Sequence, residues 1–212
     1  MPSVTRKSQV TRQQRREQME RRLLDATERL MSDGTSFTEL SVDRLSTEAG
    51  ISRASFYIYF EDKAHLLRRL ARQVMGDLAE GGARWWGRAW RHDPDDLRAA
   101  MAGIIASYRR HQPVLVALNE MAGYDPVVGA TYRNLLTAIT GRVTRVIEDG
   151  QADGSIRPEL PAATTASAIT WMVERACQQN LPTAPASYDA ELAEALAQII
   201  WGTLYLKPIS AS

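Results

Sequence analysis

Between Ser41 and Phe60 the chain holds two helix starts and one tight turn, and few folds accommodate that pattern. Ser41 precedes Val42, Leu45 and Ala49 at helical spacing, and Asp43 stands in the first turn, where its charge meets the positive end of the helix dipole. Gly50 ends the run. Only Ile51 separates it from Ser52, a second cap, which opens a short helix from Arg53 to Phe60. Two short helices joined by a glycine turn form a helix-turn-helix, a unit too small to bury its own apolar face. Flanking helices must close it. Upstream, Leu23, Ala26, Thr27, Leu30 and Met31 recur at helical spacing and stop at Asp33-Gly34; downstream, Asp62 caps a run carrying Ala64, Leu67, Leu70, Ala71, Val74 and Met75.

The remainder has no alternating Val/Ile-rich segment. Gly81-Gly82, Pro94, Pro113, Pro126, Gly150 to Gly154 and Pro158 punctuate helical runs at about 95–111, 113–121, 126–149, 161–180 and 188–206. The class expected is all-α, with about nine helices in two domains: a three-helix helix-turn-helix domain over 19–66 and a larger helical domain over 67–212. Residues 1–18, with Arg6, Lys7, Arg12, Arg15 and Arg16 but only Val4 and Val10 as aliphatics, read as a disordered basic arm. One cysteine, Cys177, excludes an internal disulfide and multi-cysteine metal sites. No apolar run reaches the roughly 20 residues of a membrane span, so the expectation is a cytoplasmic protein with no membrane partner. The net charge of +1 conceals an asymmetry: residues 1–75 sum to +4 and 76–212 to −3, which makes the N-terminal part the anion-binding end.

A helix of the length of 53–60 enters a major groove with its first turn toward base edges. Arg53 there offers a donor fork for guanine or a phosphate. Ala54 and Ser55 are small enough to let the backbone approach, and Ser55 can also hydrogen-bond. Tyr57 and Tyr59, two positions apart, cannot share a face, so at least one projects toward phosphates, while Phe56 and Phe60 suit packing. Ser41, Arg44 and Lys63, at or near helix N-termini, are candidate phosphate contacts, because free backbone N–H groups favour an anion there. Ser41, Ser52 and Asp62 are also needed simply as caps.

The segment Leu40 to Leu66, LSVDRLSTEAGISRASFYIYFEDKAHL, resembles the DNA-binding domain of TetR-type transcriptional regulators. The likeness rests on the Ser-led short helix, Ala49-Gly50, Ser52-Arg53, Tyr57-x-Tyr59-Phe60 and Lys63, and extends over Leu23 to Leu70; Tyr59 stands where the family most often has His. The resemblance implies that Ser41, Arg44, Ser52, Arg53, Ala54, Ser55, Tyr57, Tyr59 and Lys63 face a double-stranded operator. It also implies a repressor acting as a homodimer on a palindromic site, with the last two helices pairing across the interface.

Some 140 residues remain beyond what DNA reading needs, and two features stand out in them. Leu192, Leu196, Ile199 and Thr203 form a stripe on the last helix, the candidate dimer interface. Trp85, Trp86, Trp90, Met101, Tyr108, Met121, Tyr132, Trp171, Met172 and Trp201 are wide or polar-tipped residues of the kind that line pockets between helices. Glu174 lies in an otherwise mainly apolar stretch. The tail is similar to the branch of the ethionamide-associated repressor, and aligning its Met-x-Glu-Arg run with Met172 to Arg175 implies a pocket for a small, mainly apolar effector. That pocket would be lined by Met101, Ile104, Tyr108, Tyr132, Leu136, Thr170, Val173, Glu174 and Trp201.

An enzyme is the rival class, but there is no nucleophile elbow, phosphate loop or H-E-x-x-H, and His65, His92 and His111 lack metal-ligand spacing. No catalytic residue, metal or cofactor is expected, and the histidines read as exposed or capping. A DNA-binding protein that is architectural, or controlled by a protein partner, is the other alternative. Arg outnumbers Lys, which occurs only as Lys7, Lys63 and Lys207, as in GC-rich bacterial genomes.

Overall fold

The computed structural model describes residues 12–82 and 93–205, which form nine helices joined by turns and loops, with no strand among the described residues. The chain divides into two compact units, Met1–Leu70 and Ala71–Ser212.

The first unit contains α1 (Arg12–Ser32), α2 (Val42–Glu48), α3 (Arg53–Tyr59) and the start of α4 (Lys63–Gly81). Each expected cap is made. Ser41 Oγ accepts from the Arg44 amide at 3.1 Å, Ser52 Oγ from the Ser55 amide at 3.0 Å, and Asp62 Oδ1 from the His65 amide at 2.6 Å. The turn between α2 and α3 needs its glycine: Gly50 has φ +63°, and Arg22 Nη2 donates to its carbonyl at 2.8 Å. Leu23, Phe37, Leu40, Leu45, Phe56, Phe60, Leu66, Leu67 and Leu70 are all but fully buried. Each contributes about 1.5–3 kcal/mol of transfer free energy to a core drawn from all four helices.

α1 begins at Arg12, inside the segment read as a disordered arm. Polar pairs one turn apart extend it: Gln13 donates to Glu17 at 2.8 Å and Arg16 to Glu20 at 3.3 Å. Arg69 of α4 then closes on Glu20 at 2.6 Å. A composition argument misses this, because the helix is held by side-chain pairs and a distant arginine. Arg6 and Lys7 lie outside the described residues, as do Trp85, Trp86, Trp90 and His92.

The second unit comprises the rest of α4 with α5 (Pro94–Arg110), α6 (Gln112–Ala122), α7 (Pro126–Asp153), α8 (Ala162–Asn180) and α9 (Tyr188–Leu204). Prolines stand in the first turns of α5, α6 and α7, where their missing N–H costs nothing. α7 runs past the Gly150 expected to stop it. A Cβ at Gly150 would lie 2.6 Å from the Ile156 side chain, so this glycine serves packing, and the helix ends at Gly154 with φ +79°. α9 is pinned to α5 by Arg98 on Glu194 and by Arg109, which holds Asp189 at 2.7 Å and the Ala184 carbonyl at 2.9 Å. Near the end of α4 the backbone approaches α5 so closely that a Cβ on Gly81 would lie 2.7 Å from the Gly103 carbonyl oxygen.

His111, between α5 and α6, is buried rather than exposed and bonds Asp77 of α4 at 2.9 Å. His65 accepts from the Glu61 amide at 3.4 Å and meets the Phe60 ring edge-on. No helix among the described residues is long and apolar enough to cross a membrane.

Candidate nucleic-acid interface and helical pocket

α3 is short enough that its two faces divide cleanly. Phe56 and Phe60 point inward and touch at 5.3 Å between ring centres, whereas Arg53, Ala54, Tyr57 and Ile58 are exposed. Ser55 and Tyr59 are half-buried, and the Ser55 hydroxyl lies 2.9 Å from that of Ser52. The Arg53 guanidinium pairs with Asp43 of α2 at 2.7 Å and lies 5.7 Å from the centre of the Tyr57 ring. Both members of that ion pair are well exposed, so it is worth at most about 1 kcal/mol and a base edge or phosphate can displace it. Ser41 and Arg44 are exposed at the N-terminal turn of α2.

Two positions differ from the sequence reading. The Lys63 ammonium does not project freely: it donates to the carbonyls of Phe37, Thr38 and Leu40 at 3.3, 2.8 and 2.6 Å. All three protons are thus engaged, tying α4 to the loop before α2, and burial holds the amine below its ordinary pKa. Ile58, passed over in sequence, is 73% exposed. Its spacing carried the signal, since it stands two positions from both inward phenylalanines. An exposed isoleucine on a groove-reading helix suits a thymine methyl.

The second unit encloses a cavity of about 80 Å³, bordered by α4, α5, α6, α7 and α8. Met101, Ile104, Tyr108, Tyr132, Leu136, Thr170, Val173 and Glu174 line it, together with residues not singled out from sequence: Met75, Leu78, Ala79, Leu115, Ile139, Val143, Ile169 and Cys177. The wall is almost wholly apolar. Trp201 is absent from the lining; it stacks on Tyr205 at 4.1 Å beside the bridge between Ile156 and Tyr205. Of the other wide residues, Met121, Trp171 and Met172 do not border the cavity either. The space is too small for a chain-like ligand, which must displace side chains on entry.

The polar corner of the cavity is built by Tyr132, which donates to Glu174 Oε1 at 2.6 Å. Burial, and for Tyr132 also this bond, raises the hydroxyls of Tyr108 and Tyr132 well above the ordinary tyrosine range, so both stay protonated. Burial, with Glu174 and Asp189 nearby, pushes the Cys177 thiol up to about 12. Arg175, next to Glu174 in sequence, turns away and donates to Gln178 at 2.6 Å.

The stripe on α9 separates into two faces. Leu192 and Leu196 are buried within the protomer, because α9 packs that side on α5, and Thr203 donates to the Ile199 carbonyl at 2.7 Å. Ile199 is 52% exposed, as is Trp171 of α8 at 42%.

Residues 23–70 match the model of the bacterial regulatory proteins of the TetR family, and residues 97–206, just over half of the chain, match that of the C-terminal domain of the transcriptional regulator EthR. The HTH-type transcriptional regulator EthR of Mycolicibacterium smegmatis is 27% identical over 188 residues, covering 84% of this chain and 85% of that protein. Among solved structures, the TetR family regulator PfmR from Thermus thermophilus matches with a TM-score of 0.66 at 21% identity, over 88% of this chain and 99% of that one. FadR from Bacillus subtilis, solved in complex with stearoyl-CoA, matches with a TM-score of 0.70 at 13% identity, over 85% and 96%. The chain therefore belongs to the TetR family of DNA-binding transcriptional regulators, in its EthR-like branch, and is a regulator rather than an enzyme.

Proposed function

We propose that the protein is a cytoplasmic homodimer that represses transcription from a palindromic operator and is released when a small, mainly apolar ligand enters the cavity of the second unit. The observation that carries this reading is the continuity of α4: its first turn is fastened to the helix-turn-helix by Lys63, and its Met75, Leu78 and Ala79 line the cavity. A ligand that widens the cavity displaces that helix, and a helix cannot bend freely along its length. Ligand binding and operator binding then compete through one element, by population shift.

On the operator, Arg53, Ala54, Ser55 and Tyr57 read the groove with Ile58, while Ser41, Arg44, Ser52 and Tyr59 face the backbone. Exposed Trp171 and Ile199 favour pairing of the last two helices across a two-fold axis, since large apolar side chains at such exposure mark interfaces. The stearoyl-CoA of the FadR neighbour carries an aliphatic chain, and an aliphatic body suits the wall here. Footprinting on the DNA upstream of the protein's own gene, with sedimentation of the complex at stated salt, tests the reading. A protected two-fold symmetric sequence carrying paired protomers is expected; an asymmetric footprint bound by single protomers would contradict it.

A further inference from the structure

The cavity holds one buried polar atom for which its own wall supplies no partner. Glu174 Oε1 receives the Tyr132 hydroxyl, but Glu174 Oε2 is buried and makes no hydrogen bond. A carboxylate oxygen left so is costly, and such an atom persists where something else completes it.

The other polar groups on the wall point to the same chemistry. The Tyr132 proton goes to Glu174, and the Thr170 hydroxyl donates to the Ala166 carbonyl at 2.9 Å. Both oxygens keep lone pairs only and with Oε2 make three acceptors, beside the Tyr108 hydroxyl, which also lines the cavity and can donate or accept. A ligand with a carboxylate or phosphate head would set like charge against Glu174, and a pure hydrocarbon would leave Oε2 unsatisfied. Resting on the ligand reading above, we propose that the effector is an amphiphile with an aliphatic body and a protonated amine head, and that the head docks on Glu174 Oε2. An ammonium carries three donors and no acceptor, which suits the acceptors grouped at Glu174.

Calorimetric titration of the full chain at pH 7 with octylamine, octanol and octanoate tests the assignment, because the three probes share a body and differ in the head. Octylamine should bind about ten-fold tighter than octanol, as for a charge-assisted hydrogen bond, with octanoate weakest. Glu174→Gln, which keeps the shape, should remove the preference for the amine over octanol. Octanol binding as tightly as octylamine, or a preference that survives in Glu174→Gln, would overturn the amine assignment and leave the apolar cavity standing. Binding of none of the three would overturn the ligand reading itself, and this inference with it.

Discussion

The two units of this chain keep their candidate site residues on opposite surfaces, one outward and one inward. In residues 12–70 the candidate working side chains face outward and the buried ones, such as Phe56 and Phe60, hold them in place. Among the described residues of 71–205 the candidate working side chains face inward, and what faces outward is a solvated surface interrupted by Tyr124, Val127, Trp171 and Ile199. A reading head can therefore be specified by a short local pattern of caps, a turn and an exposed triplet. A cavity requires residues from five helices and cannot be specified locally.

The sharpest way to break this comparison is to empty the head's core. Phe56→Ala should cost about 3–5 kcal/mol, seen as a lowered Tm and lost operator binding, because the cavity left beneath α3 cannot be refilled from one short helix. Exchanging the exposed Ile58 for Ala should leave stability within about 0.5 kcal/mol of the parent and alter only sequence preference at thymine steps.

Lys63 sharpens the division inside the head. Its three carbonyl contacts predict that Lys63→Met costs about 1–3 kcal/mol in denaturant unfolding. The slope of log affinity against log salt should stay unchanged, whereas loss of a true phosphate contact would reduce it by about 0.9.

The second unit offers a chemical counterpart. With its thiol pushed up to about 12, Cys177 should carry about a thousand-fold less thiolate than an ordinary cysteine at pH 8. Alkylation should be negligible in the native protein, rise steeply only in strong alkali, and become complete on unfolding. Fast labelling of the folded chain at pH 8 would show the cavity open to solvent. Ile104→Phe should fill part of the cavity, change stability by about 1 kcal/mol and weaken ligand binding while sparing operator affinity.

How much of this is legible in the sequence follows the same division. Ser41, Ser52 and Asp62 announce their helices because capping is a matter of neighbouring residues, and Gly50 announces its turn because only a left-handed φ closes it. Lys63 escapes such a reading for the converse reason: its position at a helix start is local, but the carbonyls that take its protons come from about 25 residues upstream. Eight of the nine pocket positions border the cavity, although that alignment comes from resemblance, since period alone cannot tell a core residue from a lining residue. Leu192 and Leu196 show the limit directly. A helix stripe says which face is apolar and not which neighbour covers it; here α5 covers those leucines and leaves Ile199 outside.

The most direct test of the head's role is an anisotropy titration of a duplex selected by the protein from a random-sequence pool, at fixed moderate salt with unrelated DNA as competitor, for the parent chain and Arg53→Ala. Binding that resists the competitor and weakens by about ten-fold or more in Arg53→Ala, at unchanged Tm, is the result expected of a groove-reading α3. Binding that the competitor sweeps away, or that Arg53→Ala leaves intact, would contradict it.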